Sequence, residues 1–243
     1  MARFVLVHGA FGGGWVWEPV RPALEAAGHT VQTFDLPGGG DDETPVEGIT
    51  LASCAARVRE VLEGSDEPAI LVGYSMGGAV ATQAAGDAPD RVAQLVFAGA
   101  FMPGNGQSLL DLTHYPEGAD DMVQASIVIE GEPPVATFPL DKIGPALLNC
   151  CTPEQAAETV PRLRPQAVAP FAAPVQVDDA VLNAFPRSYV VTIQDRAIPV
   201  ALQRRMIEEH PCRKVIEIDT DHWPFLSATD ELAAALLDIA KPS

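Results

Sequence analysis

A serine in a tight-turn motif is the strongest chemical signal in this sequence. Gly73-Tyr74-Ser75-Met76-Gly77 is a G-x-S-x-G pattern that follows the apolar run AILV and precedes a helix-forming run. Such a turn between a strand and a helix lifts the serine hydroxyl above the sheet, and only very small residues fit two positions before and after it. We therefore predict that Ser75 is a nucleophile.

A nucleophilic serine needs a histidine as base, and the histidine needs an acid that orients it. Of the five histidines, His222 lies in the segment DTDHWPF after the last predicted strand, from where it can reach the top of the sheet. Asp195 lies two residues after the predicted strand 188–193, at the end of the run SYVVTIQD, and is our candidate acid. Asp219 and Asp221 are rivals, but they lie too close to His222 in sequence to accept its Nδ1–H easily. Their alternative role is loop capping and solvation.

Acyl transfer also needs two backbone N–H groups that bind the developing oxyanion. The residue after the nucleophile, Met76, supplies one candidate donor. The other is Ala10, in the glycine-rich loop HGAFGGG that follows the first predicted strand. That loop lacks both G-x-G-x-x-G and the Lys-Ser/Thr pair of a phosphate-binding loop, so we do not predict a nucleotide cofactor.

The elements around these residues alternate between short apolar strands and longer helices, which is typical of a mostly parallel sheet flanked by helices. Each strand is apolar on both faces, as a fully covered sheet requires. The predicted strands are 4–7, 30–34, 69–72, 93–98, 188–193 and 214–218. The predicted helices are 20–27, 51–63, 75–85, 201–209 and 230–240.

The alternation breaks in a Pro-rich stretch, which predicts an inserted cap or lid at residues 101–186 within a core domain of residues 1–100 and 187–243. One helix start is predicted inside it, with Thr152 as N-cap, Pro153 as the first helical residue and Gln155 completing a capping box. The stretch is too long to be a bare loop.

Composition excludes several function classes. With 15 Lys and Arg against 33 Asp and Glu, the net charge is −18, which argues against nucleic acid and anionic membranes as partners. The chain has no predicted membrane span and no signal-peptide core. Its four cysteines and five histidines show no metal-binding spacing. We predict a cytoplasmic protein without a metal or cofactor, in which the vicinal Cys150 and Cys151 are reduced, largely buried thiols and not a redox pair.

The segments that carry these residues resemble one known family nearly from end to end. They are FVLVHGAFGGGWVW, TVQTFDLPG, GYSMGG, LVFAGAFMP, CTPEQ, RLRP, QDRAIP and DHWPF. The chain is similar to the α/β-hydrolase superfamily, and within it to the hydroxynitrile lyases and methyl-ester esterases of plants with their bacterial carboxylesterase relatives. The resemblance implies an α/β-hydrolase fold, a Ser75–His222–Asp195 triad, and an oxyanion hole formed by the Ala10 and Met76 amides.

Departures from that family bear on the reaction. Its lyases have a Thr where this chain has Gly9, and a Lys beside the catalytic histidine where this chain has Trp223. The lysine handles the cyanide leaving group, so its absence favours an esterase. Tyr74 replaces the histidine that commonly precedes the nucleophile, which implies a different pocket wall.

We therefore predict a serine hydrolase that cleaves a small hydrophobic or aromatic carboxylic ester through an acyl-enzyme, with a homodimer as one assembly that the sequence allows. The alternatives are a C–C lyase of the hydroxynitrile lyase type and a non-catalytic receptor for a small ligand. The residues predicted to line the substrate pocket are Phe11, Trp15, Phe101, Met102, Trp223 and Phe225. Ordinary core packing is the alternative role of each.

Overall fold

The computed structural model describes residues 1–241 and contains a six-stranded parallel sheet in the order β2-β1-β3-β4-β8-β9. Its strands are β1 (Arg3–Val7), β2 (Thr30–Thr33), β3 (Ala69–Ser75), β4 (Val92–Ala100), β8 (Arg187–Thr192) and β9 (Lys214–Ile218). A second, antiparallel sheet has the order β5-β6-β7, with β5 (Val128–Glu130), β6 (Val135–Thr137) and β7 (Gln166–Ala167).

The helices cover the sheet and build the segment between β4 and β8. They are α1 (Arg21–Ala26), α2 (Leu51–Glu63), α3 (Gly77–Asp87), α4 (Leu109–Thr113), α5 (Leu140–Leu147), α6 (Pro153–Thr159), α7 (Ala169–Ala172), α8 (Asp179–Ala184), α9 (Val200–Glu209), α10 (Pro224–Ser227) and α11 (Thr229–Ile239). Among the described residues, none of these helices is long and apolar enough to cross a membrane.

The strand order explains where a site can form. From β1 the chain moves outward to β2 and then returns to the other side of β1 as β3. In open parallel sheets, ligands bind outside the carboxyl ends of the strands at such a reversal. The loop after β1, which carries Ala10, and the end of β3, which carries Ser75, therefore flank the crevice of this sheet.

All six predicted strands are present, but the prediction that each is apolar on both faces is wrong for two of them. In β2 and β9 every second residue is exposed, whereas β1 and β8 are buried throughout. The reason is position, because β2 and β9 form the two edges of the sheet and only the inner strands are covered on both sides.

The segment between β4 and β8 contains α4 to α8 and the small sheet, and it shares a core with the main sheet. Leu112 and Phe171 belong to the same buried cluster as Val5 and Val7 of β1. The predicted capping box starts α6, since Thr152 Oγ1 accepts from the Gln155 N–H (3.2 Å) and Gln155 Oε1 accepts from the Thr152 N–H (2.8 Å). A distinct cap with boundaries at 101 and 186 stays a prediction.

Candidate active site

Ser75 lies at the end of β3, one residue before Met76, the N-cap of α3, in a strained backbone conformation. Its φ of 53° is in the left-handed region, which residues other than glycine rarely adopt. The flanking glycines are required by close packing: a Cβ on Gly73 would lie 2.5 Å from the Gly77 carbonyl oxygen, and one on Gly77 would lie 2.5 Å from the His8 carbonyl oxygen. The turn thus presents the Ser75 hydroxyl at the carboxyl edge of the sheet.

The structure brings Ser75, His222 and Asp195 into one hydrogen-bonded line. Ser75 Oγ lies 3.0 Å from His222 Nε2, and His222 Nδ1 lies 2.8 Å from Asp195 Oδ2. Because the carboxylate is an acceptor, this geometry fits the tautomer in which Nδ1 carries the proton and Nε2 accepts from the serine. Asp195 and His222 are both buried, at 6% and 3% exposure, so water competes little for these contacts.

Asp195 is fixed by the loop that follows β8. Its Oδ1 accepts from the backbone N–H groups of Ala197 and Ile198, each at 2.8 Å, and its Oδ2 also accepts from Thr192 Oγ1 at 2.8 Å. These donors fix the orientation of the carboxylate and leave Oδ2 directed at the imidazole. The acid is therefore held in place before any substrate binds.

Two groups hold the backbone around His222. The Tyr74 hydroxyl donates to the His222 carbonyl oxygen (2.7 Å), and burial raises the pKa of this phenol well above its usual value. Asp221 accepts from the Trp223 N–H (2.9 Å), the Ser227 hydroxyl (2.7 Å) and the Cys150 N–H (2.6 Å). The predicted capping role of Asp221 is confirmed, but its predicted solvation is wrong, because these three donors replace water around a fully buried side chain.

Asp219 remains at the surface, as its alternative role required. Its Oδ1 accepts from Gln194 Nε2 at 2.6 Å.

The prediction for the vicinal thiols is wrong in part: Cys150 is exposed and Cys151 is half-buried, because the turn after α5 runs along the surface. Desolvation raises the pKa of Cys151 to about 12, so its thiol stays protonated at neutral pH.

Ala10 and Met76 line the same cavity as Ser75. Within residues 1–241, neither N–H donates to any protein acceptor. The Ala10 loop is held by His8, whose Nδ1 donates to the Gly9 carbonyl oxygen (2.7 Å) and whose Nε2 accepts from the Leu36 N–H (2.9 Å). Two free, positioned donors are what an oxyanion requires.

The next residue, Phe11, has a φ of 62°, a second case of left-handed backbone at a residue other than glycine. Its carbonyl oxygen accepts from the Arg164 N–H (2.9 Å), a contact with the segment between β4 and β8. Strained backbone of this kind persists only where the surroundings hold it, and it clusters at active sites.

The cavity that contains Ser75 has a volume of about 590 Å³ when the open solvent at its mouth is included, and its wall is mostly apolar. Three of the six predicted pocket residues, Phe11, Phe101 and Trp223, line it. The prediction is wrong for the others. Met102 and Phe225 are core residues, and Trp15 lies outside the cavity, where the Arg162 guanidinium covers its ring at 4.0 Å. The lining residues are Ala10, Phe11, Tyr74, Ser75, Met76, Phe101, Leu109, Leu110, Thr113, Asp121, Val123, Gln124, Ile127, Leu147, Phe171, Ala197, Ile198, His222 and Trp223.

One lining residue that sequence reasoning missed is charged. Asp121 follows a short helical turn in the segment between β4 and β8 and is only 6% exposed. Desolvation raises its pKa to about 6 from a usual value of 3.8. Perturbed carboxyls in clefts mark functional sites, but no motif surrounds this residue, and only its place in the cavity reveals it.

No group of three or more His, Cys, Asp or Glu side chains in the described chain could hold a metal ion. The groups that the protein supplies at the site are a serine, a histidine, a buried acid and two backbone donors.

Comparisons with known proteins agree with this geometry. A model of the alpha/beta hydrolase family matches residues 4–235. Methylesterase 9 of Arabidopsis thaliana is 34% identical, covering 99% of this chain and 98% of its own length. Alpha-hydroxynitrile lyase of the same plant is 32% identical, covering 98% of this chain and 96% of its own length.

Other relatives are longer or structurally characterised. The chain covers 56% of the length of the Arabidopsis thaliana protein named "Putative methylesterase 13, chloroplastic", to which it is 33% identical over 98% of its own residues. The crystal structure of polyneuridine aldehyde esterase matches with a TM-score of 0.88 and 27% identity, covering 99% of this chain and 100% of that one.

Proposed function

The chain belongs to the alpha/beta hydrolase family, and we infer from its active-site geometry that it is a serine esterase acting on small hydrophobic carboxylic esters. One observation carries this inference: Ser75 Oγ, the His222 ring and the Asp195 carboxylate are joined at 3.0 and 2.8 Å beside two free amides. This combination supplies a nucleophile, a base and an oxyanion site together.

In the proposed reaction Ser75 Oγ attacks the ester carbonyl carbon while His222 Nε2 takes its proton. The tetrahedral oxyanion is bound by the Ala10 and Met76 amides, each donor of this kind contributing about 3 kcal/mol to the transition state. Asp195 stabilises the imidazolium. His222 then protonates the leaving alcohol, and in the second half it activates water, which releases the acid and restores Ser75.

The cavity wall supports a hydrophobic substrate. Apart from the catalytic groups, its surface is built largely from Leu, Ile, Val, Phe and Ala side chains. Burial of a small aliphatic or aromatic ester against such a wall gains about 25 cal/mol per Å² of apolar surface. Relatives named methylesterases suggest that the leaving alcohol is small, and we propose methyl esters as a first class to test.

A cyanohydrin lyase is the alternative that the relative named alpha-hydroxynitrile lyase suggests. The residues at two positions argue against lyase activity. A Cβ on Gly9 would lie 2.7 Å from Ser75 Cβ and 3.0 Å from the Tyr74 ring, so the threonine of the lyases does not fit here. Trp223 occupies the position of their lysine, and it is buried and uncharged.

A cytoplasmic location, a homodimer, and the absence of nucleic-acid or membrane partners stay proposals. The cytoplasmic location rests on four cysteines that form no disulfide. The absence of nucleic-acid and membrane partners rests on the net charge of −18. Three Arabidopsis thaliana relatives are chloroplastic by name, so the family includes proteins that are not cytoplasmic.

Three assays separate the candidate functions. We expect hydrolysis of p-nitrophenyl acetate and of small methyl esters, and its loss in Ser75→Ala and His222→Ala. Cyanide release from mandelonitrile without ester hydrolysis would instead identify a lyase. A protein that binds small ligands but fails to react with a fluorophosphonate probe would be a receptor. Full hydrolysis by Ser75→Ala would refute the mechanism.

A further inference from the structure

Asp121 is the one carboxylate on the wall of the active-site cavity within the described residues. The other polar side chains of the wall are either catalytic or uncharged. Thr113 Oγ1, for example, is satisfied locally by donating to the Leu110 carbonyl oxygen at 2.8 Å. A buried charge in an otherwise apolar wall needs an explanation, because burial of an unpaired carboxylate is costly.

Only one oxygen of this carboxylate is used by the protein. Asp121 Oδ1 accepts from the backbone N–H groups of Val123 (2.7 Å) and Gln124 (3.0 Å). Within residues 1–241, Oδ2 accepts no hydrogen bond, and no Lys, Arg or His forms an ion pair with the side chain. Oδ2 is thus an acceptor that remains available to a ligand in the cavity.

The position of Asp121 is fixed relative to the triad. The N–H of the next residue, Met122, donates to the Arg196 carbonyl oxygen (2.8 Å), in the loop that carries Asp195. The charges of His222 and Asp195 both act on Asp121, the first favouring its ionised form and the second opposing it. A ligand held by Asp121 would therefore lie near the reacting centre.

A purely structural role would not require an acid here. The turn at Val123 and Gln124 needs one side-chain acceptor, and an asparagine oxygen supplies it without the cost of burying a charge. The two backbone N–H groups on Oδ1 offset this cost only in part, and the pKa of the carboxyl stays raised, at about 6. The second oxygen is the part of the residue that the fold does not use.

We propose that Asp121 determines specificity, its Oδ2 accepting a hydrogen bond from a hydroxyl or ammonium group of the ester substrate. The site then prefers hydrophobic esters that carry one such donor over esters of the same shape without it, and disfavours esters that carry a carboxylate. The proposal rests on the proposed esterase function, which it refines by naming the polar group of the substrate.

The test is a series of matched methyl esters. Methyl hexanoate is compared with its 2-, 3- and 6-hydroxy forms and with monomethyl adipate, which places a carboxylate at the far end. For the wild type, we expect at least one hydroxylated ester to exceed methyl hexanoate in kcat/KM by about 10-fold, as a hydrogen bond to a charged group provides. In Asp121→Asn this preference should fall by about 10-fold, and the relative rate on monomethyl adipate should rise.

Because the test compares ratios of kcat/KM between esters, a general loss of activity in the variant cancels out. Asp111→Asn is the matched control: Asp111 also accepts local hydrogen bonds, at the start of α4 from the Ser108 N–H (2.8 Å) and hydroxyl (2.7 Å), but it does not line the cavity. Its ester ratios should equal those of the wild type. Equal ratios in the wild type and Asp121→Asn would overturn the proposal.

Binding to an inactive protein separates this proposal from the function on which it rests. Affinities of the same esters are measured by calorimetry for Ser75→Ala and for Ser75→Ala/Asp121→Asn. A preference for the hydroxylated ester that disappears with Asp121 supports the specificity role even if the wild type hydrolyses none of the esters. Hydrolysis with no Asp121-dependent preference in either assay leaves the esterase function standing and refutes the role of Asp121.

Discussion

Replacing Asp121 with Asn should stabilise the folded protein at neutral and alkaline pH. The unperturbed pKa of this carboxyl is 3.8, and in the folded state burial raises it to about 6. The folded state therefore binds the proton more tightly than the unfolded state, so the free energy of unfolding falls as the pH rises from about 4 to about 6. The titratable groups whose charges act on Asp121 are His222 and Asp195.

The size of the effect follows from that difference in pKa. At about 1.36 kcal/mol for each pKa unit, ionisation of Asp121 costs the folded state about 3 kcal/mol near pH 8. At about pH 5 the unfolded carboxyl is already ionised and the folded one is still mostly protonated, which makes the cost about 1.5 kcal/mol. Asparagine keeps an acceptor for the Val123 and Gln124 N–H groups and does not titrate.

Urea unfolding of the wild type and Asp121→Asn at several pH values between about 5 and 8 measures directly how the cost of ionising Asp121 changes with pH. The stability gained by the variant should grow by about 1.5 kcal/mol over that range, while any effect of the new amide is constant. Asp111→Asn is a control in which the free energy of unfolding should change in the opposite direction. Hydrogen bonds from Ser108 lower the pKa of Asp111, so its loss should destabilise the protein by an amount that is constant above about pH 5. A pH-independent difference for Asp121→Asn would refute the reasoning.

Three further predictions concern the catalytic line and the charge of the molecule. Tyr74→Phe leaves the His222 carbonyl oxygen without its donor, and we expect a loss of about 1–3 kcal/mol in urea unfolding and a lower kcat; unchanged stability and kcat would contradict a positioning role. Asp195→Asn favours the wrong imidazole tautomer, so kcat should fall by about 10⁴-fold with circular dichroism unchanged. Added salt should raise kcat/KM more for anionic than for neutral esters, because the net charge of −18 repels anions; equal responses would refute this.

The triad could be predicted from the sequence because each member carries a local signal. Ser75 is framed by glycines between a strand and a helix, and Asp195 and His222 follow strand ends, which parallel strands place at one edge of a sheet. The bounds of α2 were predicted to the residue since its apolar period is regular and its capping residues are local.

The pocket wall could not be predicted in the same way. Phe101 and Met102 are adjacent in sequence, yet Phe101 lines the cavity and Met102 packs into the core. Tertiary packing, which the local sequence does not show, determines this difference. Trp15 lies outside the cavity, and its ring contacts the Arg162 guanidinium, which is far from it in the chain. Asp121 lies beside the site in a segment that is joined to the distant Asp195 loop by the hydrogen bond from the Met122 N–H to the Arg196 carbonyl oxygen. Such contacts have no periodicity or spacing that a sequence pattern could reveal.

The central claim, that Ser75 carries the acyl group, is tested most directly by trapping that intermediate. Wild-type protein is mixed with p-nitrophenyl acetate, quenched in acid within the first turnover, and analysed by intact mass and peptide mapping. We expect a mass increase of one acetyl group, located on Ser75, and none in Ser75→Ala. Acetyl on another residue, or undiminished p-nitrophenol release by Ser75→Ala, would contradict the account.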